Sequence, residues 1–97
     1  MAKVLLLKLM GDTDLDIEFQ EAVNRVNTYT EPFPADTLLK LYAYYKKATN
    51  NYSKPSGKKP IINAFKTNAL FQAKGLNQNQ AKQEYIDLVN NYFLYRK

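Results

Sequence analysis

The chain has 97 residues, a hydrophobic share of 45% and a formal net charge of +5 at pH 7. This length supplies one hydrophobic core, and this hydrophobic share is typical of a folded domain rather than a disordered segment. The sequence contains no cysteine and no histidine, which excludes disulfides, thiol nucleophiles and the commonest general base. The positive charge favours an anionic partner without identifying it.

The first ten residues form an apolar segment that Lys3 and Lys8 interrupt. The apolar run is too short for a membrane span, which needs about 20 residues, so stable membrane insertion is not expected. No small-residue cleavage site follows the run, which disfavours a signal peptide. We therefore expect an N-terminal extension over residues 1–11, flexible or derived from the choice of start site, and one domain over residues 12–97.

The first predicted helix carries a stripe of apolar side chains at helical spacing. The stripe consists of Phe19, Ala22, Val23 and Val26. Thr13 followed by Asp16 resembles a capping box in which Asp replaces the usual Glu. This pattern predicts a helix from about Asp14 to Asn27.

Two prolines, Pro32 and Pro34, separate this helix from a second one, because proline cannot continue a helix. Pro34 suits the first turn of the second helix, where Asp36 lies near the positive helix end. The stripe of the second helix consists of Leu38, Leu41, Tyr42, Tyr45 and Thr49. This helix is predicted to end near Asn50 and Asn51.

Prolines, glycine, serines and lysines predict a loop over residues 52–60. A third helix follows and ends at Lys74 and Gly75; its stripe consists of Ile62, Phe65, Ala69 and Ala73. Asn77 with Gln80 three residues later is an N-cap signal for a fourth helix. The fourth helix carries Ala81, Tyr85, Leu88, Val89 and Tyr92 and ends near Leu94. No alternating strand pattern is present, so the predicted fold is all-α, a four-helix bundle.

A candidate binding site is predicted on the second helix, where Tyr42, Tyr45 and Lys46 share one face. Lysine is frequent, and Asp and Glu are absent, between Lys40 and Lys82. Ammonium groups and phenol hydroxyls together suit phosphate, and aromatic rings suit a purine. The alternative is that these residues form a core stripe with a lysine at its margin. A core stripe would normally consist of Leu, Ile or Phe, because a buried tyrosine hydroxyl needs a hydrogen-bond partner and these side chains do not. We therefore expect a nucleotide that carries several phosphates.

The segment from Leu41 to Thr49 resembles the Tyr-x-x-Tyr-Lys-Gln-Ala-Thr signature of acyl-CoA-binding proteins, with Lys47 at the glutamine position. Helix order and spacing are similar to that family from Phe19 to about Tyr92. The other similar segments are Phe19 to Val26, Lys74-Gly75, Ala81 and Tyr85-Ile86. The resemblance implies the four-helix fold of that family and a fatty acyl-CoA ligand.

The resemblance also implies a role for each matching residue. Tyr42 would donate its hydroxyl to the ribose 3′-phosphate of coenzyme A, and Tyr45 would stack on adenine. Lys46 and Lys66, from different helices, would close on the phosphates. Tyr85 would complete the wall near the ribose and the acyl chain.

Two further positions on the first helix, Ala22 and Val23, would meet the adenine through backbone groups and small side chains. The family usually carries two tryptophans on the third helix, where this chain has Thr67 and Leu70. Because the first of these tryptophans usually borders the acyl chain, the resemblance carries no preference for acyl length here.

The function predicted from these features is that of a cytoplasmic, monomeric carrier of medium- to long-chain fatty acyl-CoA. It would form a pool, shield the acyl chain and deliver it through transient contacts to lipid-metabolising enzymes. No catalytic activity, cofactor, metal site or nucleic-acid partner is expected.

Two alternatives compete with the carrier hypothesis. A basic helical module that binds nucleic acid fits the lysines and tyrosines, but Arg25 and Arg96 are the only arginines available for bidentate base contacts. A helical interaction domain that has lost the ligand fits the missing tryptophans.

Overall fold

The computed structural model describes residues 14–51, 54–55 and 57–95. These residues form four helices, namely α1 (Asp14–Thr28), α2 (Ala35–Ala48), α3 (Pro60–Ala73) and α4 (Gln78–Tyr95), and no strand. Helix α4 packs against both α1 and α2, whereas α3 packs chiefly against α2. The predicted all-α, four-helix architecture is confirmed, and the predicted extension over residues 1–11 lies outside the described part of the chain.

The starts of the helices follow from local chemistry. Helix α2 begins at Ala35, one residue later than predicted, with Pro34 as its N-cap. Pro60, which was predicted to end the loop, is instead the first residue of α3, where its missing N–H costs no helical hydrogen bond. The N-cap prediction for α4 is confirmed, because Asn77 and Gln80 each donate a backbone N–H to the other's side chain, at 2.9 and 2.8 Å.

The end of α2 is a left-handed turn at Asn50, whose φ is 59°. The N–H groups of Asn50 and Asn51 donate to the carbonyls of Lys47 and Lys46 at 3.2 and 2.9 Å. This is the Schellman arrangement, and Asn tolerates its left-handed position better than most residues. The helix therefore ends at Ala48, slightly before the predicted end.

The hydrophobic core lies between α1, α2 and α4. Its buried members are Phe19, Ala22, Val23, Leu41, Ala48, Ala81, Tyr85, Ile86 and Val89. An ion pair between Asp16 of α1 and Lys82 of α4, at 2.6 Å, joins two of these helices. The side chain of Asp16 is therefore directed at another helix, and its predicted capping partner, Thr13, lies outside the described residues.

Helix α3 lies at the edge of this core. The structure describes every residue of α3, and only Ala73 among them is buried. The predicted helix is present, but Ile62 and Phe65 of its apolar stripe are 41% and 51% exposed. The stripe is therefore only partly a packing face, since α3 rests on one neighbouring helix rather than between two.

Candidate functional site

Tyr42 lies close to two lysines that come from different helices. The ammonium nitrogen of Lys46, one turn further along α2, donates to the Tyr42 hydroxyl at 3.4 Å. The ammonium nitrogens of Lys46 and Lys66 lie 5.3 and 5.2 Å from the centre of the Tyr42 ring. Because Lys66 belongs to α3, the packing of α3 on α2 assembles this group. The structure thus brings three of the predicted site residues together.

The side chain of Lys46 is largely enclosed, with 6% of the residue exposed. A buried lysine stem with its ammonium group held at a phenol oxygen is positioned rather than freely mobile. Lys66 is half-buried, and Lys58 and Lys59 line the same surface depression as Lys66. The two cations near Tyr42 are therefore one enclosed ammonium group, that of Lys46, and one that retains contact with solvent, that of Lys66.

Beside these lysines, a groove of about 430 Å³ runs between α1, α2 and α4. It is lined by Val23, Val26, Asn27, Leu38, Leu41, Tyr42, Tyr45 and Tyr85. Aliphatic side chains supply half of these positions and tyrosine rings most of the rest, and Leu38 is 48% exposed. The apolar groove therefore reaches Tyr42, the residue that Lys46 and Lys66 approach.

Three aromatic rings pack against one another at this groove. The ring centres of Phe19 and Tyr45 lie 6.1 Å apart with an interplanar angle of 25°, and Tyr85 packs edge-on against Phe19 at 5.2 Å. Tyr45 is 41% exposed, whereas Tyr85 is 3% exposed. Tyr45 therefore has a fixed position while part of it remains accessible to a ligand.

The hydroxyl of Tyr85 stays protonated at neutral pH. Burial, with a smaller contribution from Tyr45, raises the pKa of Tyr85 to about 12. A buried phenol loses stability when it ionises, because the phenolate cannot be solvated. Tyr85 can therefore donate a hydrogen bond at the groove without carrying charge.

The two predicted contacts on α1 lie on different sides of that helix. Val23 lines the groove with Tyr45. Ala22 is 5% exposed and lines a different cavity between α1 and α4, beside Arg25 and Asp87. Consecutive helical residues point about 100° apart, so the side chain of only one of the two faces the groove. A ligand contact of Ala22 stays a prediction.

Phe19 and Leu38 were not among the predicted site residues, although both belong to predicted helical stripes. Phe19 orients the ring of Tyr45 from the side of α1. Leu38 precedes Tyr42 by four residues and shares its face of α2. That spacing could have indicated Leu38, whereas the contact between Phe19 and Tyr45 depends on how α1 packs.

The family model described as "Acyl CoA binding protein" matches residues 16–89, which include every predicted site residue. The chain belongs to the acyl-CoA-binding protein family. The family resemblance of the tyrosine–lysine segment is thereby confirmed, and membership supports acyl-CoA binding. The described residues contain no group of three or more His, Cys, Asp or Glu side chains that could hold a metal ion.

Individual members of the acyl-CoA-binding protein family are similar over most of the chain. The acyl-CoA-binding protein of Saccharomyces cerevisiae is 39% identical over 75 residues, covering 74% of this chain and 85% of the yeast protein. Acyl-CoA-binding protein 2 of Saccharomyces pastorianus is 37% identical over 76 residues, covering 75% and 86%.

A solved member of the acyl-CoA-binding protein family has the same fold. The crystal structure of Oryza sativa acyl-CoA-binding protein 2 superposes with a TM-score of 0.69 at 25% sequence identity. The match covers 82% of this chain and 91% of the rice protein.

Within the described part of this chain, no helix is both long and apolar enough to cross a membrane.

Proposed function

We propose that this protein binds medium- to long-chain fatty acyl-CoA esters and carries them within the cell without transforming them. The observation that carries the proposal is the convergence of Lys46 and Lys66 on Tyr42 beside an apolar groove. A fatty acyl-CoA has a charged, phosphorylated end and a long apolar end. The two halves of the site match these two ends.

The phosphate end of the ligand would lie at Tyr42. Ammonium groups supply charge, the hydroxyl adds direction, and hydrogen bonds to charged groups contribute about 1.5–3 kcal/mol each. Tyr45 would stack on the adenine, because its ring is held by Phe19 and partly exposed. Such stacking contributes about 1–3 kcal/mol.

The acyl end of the ligand would follow the groove past Val26 and Leu38. Each methylene group that leaves water contributes about 0.8 kcal/mol. Affinity should therefore rise with chain length until the groove is filled. A monomer that shields the chain in this way could form a pool of acyl-CoA and deliver it to lipid-metabolising enzymes through transient contacts.

Isothermal titration calorimetry with four ligands tests this function. A long-chain acyl-CoA should bind far more tightly than free coenzyme A or free fatty acid, because it alone engages both halves of the site. A short DNA duplex at physiological salt should not bind. Tight duplex binding without acyl-CoA binding would support the nucleic-acid module instead, and no binding of any ligand would support a helical domain without a ligand.

A further inference from the structure

A second cavity, which shares no lining residue with the ligand groove, lies between α2 and α3. Its volume is about 220 Å³, and its apolar lining comes from Ala43 of α2 and from Leu70 and Ala73 of α3. Ala43 and Ala73 are buried and form its floor, whereas Leu70 is half-buried. The cavity has room for about seven groups of the size of a water molecule, each of which takes about 30 Å³.

Three lysines lie around this cavity. Lys46 and Lys47 belong to the last turn of α2, and Lys74 directly follows α3. The ammonium group of Lys46 is held at Tyr42, so Lys46 contributes chiefly its methylene stem to the cavity. The charges of Lys47 and Lys74 together exceed those of the two helix ends, which are about −0.5 each. None of the described residues that line the cavity is acidic, so its mouth carries net positive charge.

Two residues at this cavity distinguish the chain from the signature of its family. Lys47 stands at the glutamine position of the tyrosine–lysine segment, and Leu70 stands at one of the two tryptophan positions. The first change adds a positive charge, and the second replaces an indole by a smaller aliphatic side chain. The structure brings both changes to the same cavity. The pairing of an apolar space with a cation is therefore particular to this sequence.

We propose that this cavity is a second ligand site, which binds the anion of a medium-chain fatty acid. The carboxylate meets the ammonium groups of Lys47 and Lys74, and the alkyl chain covers Ala43, Leu70 and Ala73. Because a methylene group is about as large as a water molecule, a chain of about six to eight carbons fills the cavity. A nucleotide would leave the apolar floor uncovered, and a neutral hydrocarbon would make no use of the lysines.

Titration of the isotope-labelled full chain with octanoate, followed by NMR without acyl-CoA, tests the proposal. The backbone amide signals of Ala43, Leu70 and Ala73 should shift and reach saturation, while those of Val26 and Leu38 in the ligand groove should not move. Octan-1-ol, which has the same chain but no charge, should bind more weakly. The proposal is wrong if no signal reaches saturation, if the shifts are confined to Val26 and Leu38, or if octan-1-ol binds as tightly as octanoate.

Two variants separate the apolar and the charged part of this site. Leu70→Trp fills the cavity and should weaken octanoate binding at least about tenfold, because each methylene group kept in water lowers affinity by a factor of about four. Its helical circular dichroism should be unchanged, since the family usually has an indole at this position.

Lys47→Gln leaves the cavity open and should weaken octanoate binding about three- to fivefold, as expected for the loss of a partly exposed ion pair. The matched control is Lys58→Gln, because Lys58 is exposed and lines a different depression; it should bind octanoate like the unmodified protein. The proposal is wrong if Leu70→Trp binds octanoate with unchanged affinity, or if Lys47→Gln and Lys58→Gln lose binding equally. Because acyl-CoA is absent from the assay, these outcomes leave the proposed carrier function untouched.

Discussion

Replacement of Lys66 by alanine isolates the contribution of α3 to the proposed phosphate site. The Lys66 ammonium nitrogen lies 5.2 Å from the centre of the Tyr42 ring, so it is within reach of a phosphate bound at the Tyr42 hydroxyl. Two unit charges about 4 Å apart near a protein surface attract by about 4 kcal/mol. Lys66 is half-buried, and part of this energy is offset by lost hydration.

Hydrogen bonds to charged groups contribute about 1.5–3 kcal/mol net. We therefore expect Lys66→Ala to weaken binding of a long-chain acyl-CoA by about 2 kcal/mol, which corresponds to roughly 30-fold in the dissociation constant. Isothermal titration calorimetry at constant salt measures this change. The matched control is Lys40→Ala, because Lys40 is exposed on α2 and does not line the groove. Two residues before Tyr42, it lies on the opposite side of the helix, so its effect should stay below about threefold, as expected for a solvent-screened charge.

A second ligand identifies which phosphate Lys66 meets. If Lys66 closes on the ribose 3′-phosphate beside Tyr42, an acyl-CoA analogue without that phosphate should bind the unmodified protein and Lys66→Ala almost equally. An equal loss for both ligands would place Lys66 at another phosphate. An effect of Lys66→Ala no larger than that of Lys40→Ala would refute the phosphate role altogether.

Three other substitutions test separate parts of the structure. Tyr45→Leu should weaken acyl-CoA binding by about 1–3 kcal/mol through lost stacking, and calorimetry with an acyl-pantetheine that lacks adenine should show no such loss. The pKa of Tyr85 is raised to about 12 in the folded protein, so the unfolded chain loses this proton at a lower pH than the folded chain does. The free energy of unfolding should therefore fall above about pH 10, by up to about 1.4 kcal/mol per pH unit. Urea unfolding of Tyr85→Phe should show a smaller alkaline loss, and an identical loss would contradict the assignment. Asn77→Ala removes the side chain that caps α4 and should lower the free energy of unfolding by about 1 kcal/mol. Chemical denaturation measures this change, and an unchanged free energy of unfolding would show that the cap does not stabilise the protein.

Local interactions made much of this protein predictable from its sequence. Tyr42 and Lys46 share a face of α2 because residues one turn apart in a helix always do. The reciprocal cap of Asn77 and Gln80 involves residues three apart and needs no other part of the fold. Helix order and most of the predicted site therefore follow from short-range spacing together with the family resemblance.

The tertiary structure alone decided which helices meet. The approach of Lys66 to Tyr42 depends on the packing of α3 against α2, and the contact between Phe19 and Tyr45 depends on the position of α1. The exposure of Phe65 could not be predicted, because apolar spacing has the same form whether a stripe is covered or left open. Helical periodicity specifies which side chains share a face, whereas burial requires a partner surface that only the folded arrangement supplies.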